Sequence, residues 1–337
     1  DGGAWRKRTQ HTSWYNERLN TTTRGSRKEF PAVAVIVVTG TEMIIYDGDD
    51  INLPMWMIFT RGTGKFFDAT QPQTVSAKNG ILYPAGTGGS ILINFISEYN
   101  AFRNTTRQYN KGNISERNLG KGWVNIGGSD VFTHNNTNDV AMTVLPNAPI
   151  DSVTGLPVPT IAVATDGGVS VIKDDGTVVD ITVNNASYTV ARRVNFLSDN
   201  SLGMGIGVAN GVAQESYYIF NNIPTSDNVI TVDNIAGTVQ NVDEFYAIQH
   251  PNSIVDLQLL GLDTNRALLS STGNSFASNE GLSIVDRNVG AADKGMVAYV
   301  ASDYNTGWMN GDIKLATLSD TDDTDVSGGN KITNGDA

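Results

Sequence analysis

Residues 160–183 read TIAVATDGGVSVIKDDGTVVDITV, and this stretch decides the fold. Ile161–Ala164, Val169–Ile172 and Val178–Ile181 are short runs rich in β-branched residues. Asp166-Gly167-Gly168 and Asp174-Asp175-Gly176 separate them. Apolar runs broken by Asp-Gly spell antiparallel strands joined by tight hairpins, because these residues tolerate the positive φ that such turns need. With the run just upstream, the sequence predicts a four-stranded unit over Asp139–Leu145, Thr160–Ala164, Val169–Ile172 and Val178–Val183.

The pattern continues in both directions. Downstream, a second unit is predicted over Arg193–Leu197, Leu202–Val208, Ser216–Phe220 and Val229–Val232. Further strands are expected near Ile254–Leu260, Ala267–Ser270, Leu282–Val285, Met296–Ala301 and Asp312–Leu318. The glycines of Gly203–Gly207 (GMGIG) fall inside a strand pattern and read as close-packed strand glycines rather than a phosphate cradle. Upstream, Val33–Val38 is almost wholly apolar and reads as a strand buried on both faces. It is followed by Met43–Tyr46, the turn Asp47-Gly48-Asp49-Asp50, and Met55–Phe59.

Two internal matches suggest a repeat. Superposing Pro31 on Pro159, 128 residues on, aligns Ile44 with Ile172 and Gly48 with Gly176. The segment from Ile114 to Gly120 (ISERNLG) resembles that from Ile284 to Gly290 (IVDRNVG), 170 residues on. A third copy of the hairpin pattern is read around Ile81–Phe95. Both offsets are multiples of about 43 residues, and a unit of about 40–45 residues with four short strands is the size of a propeller blade. The fold expected is all-β: a β-propeller of about six or seven four-stranded blades over residues 31–318, with a β-sandwich as the alternative.

Composition agrees with strands and turns. The 337 residues include 35 Gly, and only 17% are charged, which is not the make-up of a helical bundle. There is no cysteine, which excludes disulfides, thiolate zinc sites, iron–sulfur clusters and Cys nucleophiles. The only histidines are His11, His134 and His250, poor material for a triad. The net charge of −12 argues against nucleic acid or an anionic membrane surface as partner. No apolar run approaches the ~20 residues that cross a bilayer, so no membrane insertion is expected.

Charge is unevenly placed. Residues 1–30 carry seven bases against Asp1, Glu17 and Glu29, with Trp5, Trp14 and Tyr15 among them. They read as a basic N-terminal arm, with Arg6, Lys7, Arg8, Trp14 and Tyr15 as candidates for docking on an acidic partner subunit. Residues 319–337 are acidic and nearly free of large apolar groups, and read as a linker leading to a further domain.

Few residues point to chemistry. Asp47, Asp49 and Asp50 share one turn and are candidate calcium ligands, although their spacing is not that of an EF-hand loop. The acidic tail is a weaker candidate, and no other cofactor is expected. Trp123 and Trp308 sit in Gly-rich stretches and are candidate glycan-stacking residues, with a core role as the alternative. No Walker loop, G-x-S-x-G elbow or H-E-x-x-H motif is present, so no catalytic residue is assigned and the chain is not expected to be an enzyme. Five N-x-[ST] triplets, the first at Asn20, are what an Asn- and Thr-rich chain produces by chance.

Three stretches carry a resemblance. They are residues 138–182 (NDVAMTVLPNAPIDSVTGLPVPTIAVATDGGVSVIKDDGTVVDIT), residues 303–324 (DYNTGWMNGDIKLATLSDTDDT) and residues 5–37 (WRKRTQHTSWYNERLNTTTRGSRKEFPAVAVIV). Together they resemble large structural proteins of tailed marine bacteriophages, in which such a region adjoins LamG-like or jelly-roll carbohydrate modules. The closing KITNGDA looks like the first strand of such a module. The resemblance implies a virion component of the tail or tail fibre, surrounded by other virion subunits and homo-oligomeric, that contacts host-surface glycan. Two other functions fit the same composition: a polysaccharide depolymerase, and a secreted bacterial adhesin or extracellular filament subunit.

Overall fold

The structure is a computed structural model that describes residues 7–68, 70–106, 108–121, 124–126, 131–186, 189–197, 199–207, 214–232, 239–249, 257–263, 266–271, 281–286, 296–302 and 313–320. The chain is all-β, and its described strands form five sheets. The first sheet holds β1 (Ala34–Thr39), β2 (Glu42–Asp47) and β3 (Met55–Thr60). The second holds β4 (Gln71–Lys78), β5 (Ile81–Thr87), β6 (Gly89–Asn94), β7 (Asn100–Arg103), β8 (Gln108–Asn110) and β9 (Val124–Asn125). The third is built on β10 (Thr137–Thr143), β11 (Thr160–Thr165), β12 (Gly168–Ile172) and β13 (Val178–Val183). The fourth starts with β14 (Val190–Phe196), β15 (Leu202–Gly207) and β16 (Gln214–Phe220).

The chain then leaves the fourth sheet for two strands. β17 (Asn228–Val232) and β18 (Val239–Gln240) extend the third sheet, where β17 lies parallel to β13 with Ile181 opposite Asn228. β19 (Glu244–Gln249) returns to complete the fourth sheet beside β16. The expected fourth strand of that unit, Val229–Val232, is thus corrected to β19. The fifth sheet is a meander of β20 (Leu257–Asp263), β21 (Arg266–Ser271), β22 (Gly281–Asp286), β23 (Met296–Ser302) and β24 (Ile313–Asp320). It runs two residues past the boundary expected at 318.

The sheets follow one another through their first strands. β1 packs against β4, β4 against β10, β10 against β14, and β14 against β20. Apolar cores fill the spaces between. Met43, Ile45, Ile91 and Phe95 belong to the core of the first two sheets. Tyr83, Ala85, Val140 and Val163 join the second and third. Ala162, Val171, Leu202 and Ile206 join the third and fourth. The third sheet is therefore apolar on both faces, and β11 and β12 are buried along their whole length. Its β11–β12 hairpin is the Asp-Gly-Gly turn, and Gly168 has a φ of +128°; a Cβ there would run into the Ile181 carbonyl oxygen.

β1 departs from its expected burial. Ala34, Ile36 and Val38 face the core, but Val33, Val35 and Val37 are 57%, 38% and 40% exposed. The reason is position: β1 is an edge strand of the first sheet, and that sheet has a core on one face only.

The repeat is weaker than the internal matches imply. The 128-residue match sets β1 and β2 on β11 and β12, the second and third strands of their sheet, and carries β3 past the end of β13. The 170-residue match sets a 3-10 turn, Ile114–Glu116, on the end of β22. Neither joins equivalent positions, and the five described sheets range from three to six strands.

The N-terminal arm is corrected most. Residues from Lys7 onward form no detached arm but a strap built into the first two sheets. Trp14 is fully buried, donates its indole N–H to the Phe95 carbonyl at 2.7 Å, and meets Trp56 and Phe95 edge-on. Tyr15 is buried beside it, with the Lys28 ammonium over its ring. Thr23–Gly25 hydrogen-bonds along β3, where the Ile58 and Gly25 amides donate to Thr23 and Trp56, and so acts as a fourth strand of the first sheet. Arg8 reaches further, donating to the Thr154 carbonyl at 2.8 Å. Ser13 donates from both its amide and its hydroxyl to Glu98, and its hydroxyl accepts from the Ser115 amide.

Lys111 is a buried cation beneath this assembly. It is 3% exposed, donates to the Lys65 carbonyl at 3.2 Å, and lies over the Phe102 ring. Burial pulls its ammonium from 10.5 down to about 7, against the attraction of Asp68. Between those two values the unfolded chain holds the proton and the folded chain does not, so stability rises with pH through that window. The expected slope approaches ~1.4 kcal/mol per pH unit above pH 7. Urea unfolding at pH 7, 8 and 9 measures it, and Lys111→Met should flatten the rise.

Candidate functional site

Three first strands enclose a polar pocket of about 450 Å3. β4 contributes Gln73, Thr74 and Ser76; β10 contributes Asn138 and Asp139; β14 contributes Arg193 and Asn195. Val140, Ala141 and Met142 of β10 also border it, with Val140 and Ala141 buried in the cores on opposite faces of the third sheet. A strand that packs on two sheets exposes little, so polar side chains at this junction need a device to turn them toward solvent.

The device is a bulge. Each of the three strands carries a break in register at the pocket: between Pro72 and Thr74, between Thr137 and Asp139, and between Ala191 and Arg193. A bulge sets two residues against one on the partner strand and re-aims the side chains beside it. The extra residues are Gln73, Asn138 and Arg192. β20 has the same break between Gly261 and Asp263.

Asp139 is the pocket's anchor. One carboxylate oxygen accepts the Thr74 hydroxyl at 3.2 Å and the Val140 amide at 2.9 Å; the other accepts the Val194 amide at 3.1 Å. Burial pushes its carboxyl up, while the amides of Val194 and Val140, the charge of Arg193 and the Thr74 hydroxyl pull it down. Burial outweighs them and leaves the carboxyl above its usual range, and Asp139 ties all three strands together beside Arg193. Asn138 is locked by donating to Asp166 at 2.9 Å and to the Ala191 carbonyl at 2.8 Å.

The residues singled out from the sequence do not converge here. The acidic turn is occupied from within the chain: Arg27 donates to Asp47 at 2.8 Å and to Asp49 at 2.6 Å. Asp49 also accepts the Ala32 and Val33 amides, both at 2.9 Å, which hold its carboxyl below the usual range together with Arg27. Asp50 accepts from its own neighbour Asn52. Asp47 and Asp49 fasten the entry to β1, and no cluster of three or more metal-ligating side chains occurs among the described residues. Of the docking candidates, Lys7 is exposed, Arg8 is tied to Thr154, and Trp14 and Tyr15 are buried. Arg6, Trp123 and Trp308 lie outside the described residues.

Asp139, Gln73 and Arg193 were not singled out from the sequence. The available signal was an Asp at the start of a predicted strand, a placement that Asp180 and Asp256 inside predicted strands made unexceptional.

No protein-family model and no curated protein matches the chain. Among solved structures, Kluyveromyces lactis Hsv2 is similar over 81% of this chain and 91% of its own, at 10% identity and a TM-score of 0.26. A bifunctional GH43-CE protein of Bacteroides eggerthii is similar over 85% of this chain and 35% of its own, at 14% identity and a TM-score of 0.27. Likenesses this distant carry no argument about fold or chemistry.

Proposed function

We propose that the chain is a β-propeller serving as a rigid, non-enzymatic interaction disc of a bacteriophage virion, in the tail or tail fibre. The observation that supports the propeller is the serial order of the sheets. Each first strand packs on the next, and a separate core lies between each consecutive pair among the first four sheets. Radial repetition produces this, whereas a sandwich buries one core between two sheets. The first strands then line the hub, where the polar pocket lies, and the free face of the first sheet is where ring closure brings the last sheet. The virion setting rests on the resemblance of residues 138–182 and 303–324 to phage structural proteins.

The role follows from the parts. A disc of packed sheets is a stiff spacer, and copies in a symmetric virion turn weak contacts with host-surface glycan into avidity. The described lining of the pocket holds one carboxylate, Asp139, where glycosidase chemistry uses a pair. Immunogold electron microscopy of virions, with antibody raised against residues 31–318, tests the reading. Label at the tail tip or fibres is expected. Label confined to the capsid, or no label at all, overturns it, and label confined to the tail tube overturns the host-contact role.

A further inference from the structure

We infer that the pocket between β4, β10 and β14 is a binding site for an uncharged polyhydroxylated ligand, a neutral sugar of one or two rings. The pocket's volume falls at the lower end of the range for small-molecule sites. Three adjacent strands each depart from regular pairing at the same place, and each departure sets polar side chains at the pocket. Bulges interrupt a ladder and are common beside binding sites. Three at one cavity mark a built feature.

The lining selects the chemistry. Hydroxyl groups both donate and accept, and so do the amides and hydroxyls of Gln73, Ser76 and Asn195. Asp139 and Arg193 contribute one charge of each sign, so the pocket has no net formal charge to attract an ion. An acidic ligand that paired with Arg193 would meet Asp139, and would approach a chain of net charge −12. The inference takes only its biological setting, glycan contact, from the virion reading; its chemistry stands on the pocket.

Saturation-transfer NMR and calorimetry on the full chain test it, with glucose, galactose, mannose, N-acetylglucosamine and their disaccharides as probes and glucuronate as the acidic control. At least one neutral sugar should bind saturably, and more tightly than glucuronate. Gln73→Ala should weaken it tenfold or more; Gln73 is exposed, so the fold is kept. Arg193→Met should do the same, with its melting temperature recorded beside it, and Asn52→Ala, at the distant acidic turn, should leave affinity unchanged. Absence of saturable binding by every neutral sugar, preference for glucuronate, or binding indifferent to Gln73→Ala overturns the site. Immunogold label at the tail with a silent pocket would remove the site alone; sugar binding with label on the capsid would remove the host-recognition role alone.

Discussion

Trp14→Ala should lower the unfolding free energy by about 3–5 kcal/mol, the range for removing a large aromatic from a well-packed core. Trp14 is fully buried and touches Tyr15, Trp56 and Phe95 edge-on. Its loss leaves a cavity between the first two sheets and strips the Phe95 carbonyl of its donor. Deleting residues 1–30 should go further. It removes the fourth strand of the first sheet and leaves β3 with an unpaired edge against the Trp56 and Ile58 backbone. Urea unfolding followed by circular dichroism measures both. A cost under ~1 kcal/mol for Trp14→Ala would return residues 1–30 to the status of a detachable arm.

Glu17→Gln should cost about as much, roughly 3–5 kcal/mol, by stranding buried cations. Arg24 and Arg117 are 0% and 1% exposed, and Glu17 is the carboxylate that faces both, at 3.9 and 2.8 Å. Burial draws the Arg24 guanidinium down to about 10, with Glu17 pulling it up and the charge of Arg117 pulling it further down, and burial lowers that of Arg117. Carbonyls supply the rest of the cage: Trp56 and Lys28 accept from Arg24, and Ile58, Thr23 and Ile114 accept from Arg117. Both guanidiniums also lie over aromatic rings, Arg24 on Trp56 at 4.4 Å and Arg117 on Phe59 at 5.3 Å. Removing all three charges together, as Glu17→Leu with Arg24→Met and Arg117→Met, should cost less than Glu17→Gln alone. A loss that is simply additive across the three sites would deny the coupling.

The strands at 139–183 were legible because each pairs with its neighbour in sequence, and the Asp-Gly turns between them report local geometry. Pairing across distance is not written that way. Val229–Val232 has the composition of a next strand, yet it crosses to lie parallel to β13, and nothing in its own residues says so. The alternation in Val33–Val37 was hidden because both faces of β1 are apolar, and only the position of the first sheet decides which is covered. The strap was read as a basic arm because Arg24 looks like a surface charge until Glu17, the carbonyls and the Trp56 ring are brought around it. The pocket was invisible for a related reason. A bulge is a mismatch between two strands, and Gln73, Asn138 and Arg193 become neighbours only when three separate sheets meet.

The strap also sets the order of events in synthesis. Glu17 leaves the ribosome 100 residues before Arg117, Trp14 precedes its partner Phe95 by 81, and Arg8 precedes Thr154 by 146. At about 5–20 residues per second, Glu17 waits roughly 5–20 s for its arginine. Trp56 and β3 follow the strap soonest, but until Phe95 and Arg117 are made Trp14 and Glu17 lack these partners. The strap is made before the residues that fasten it, and it is open to chaperones and to premature association until they follow.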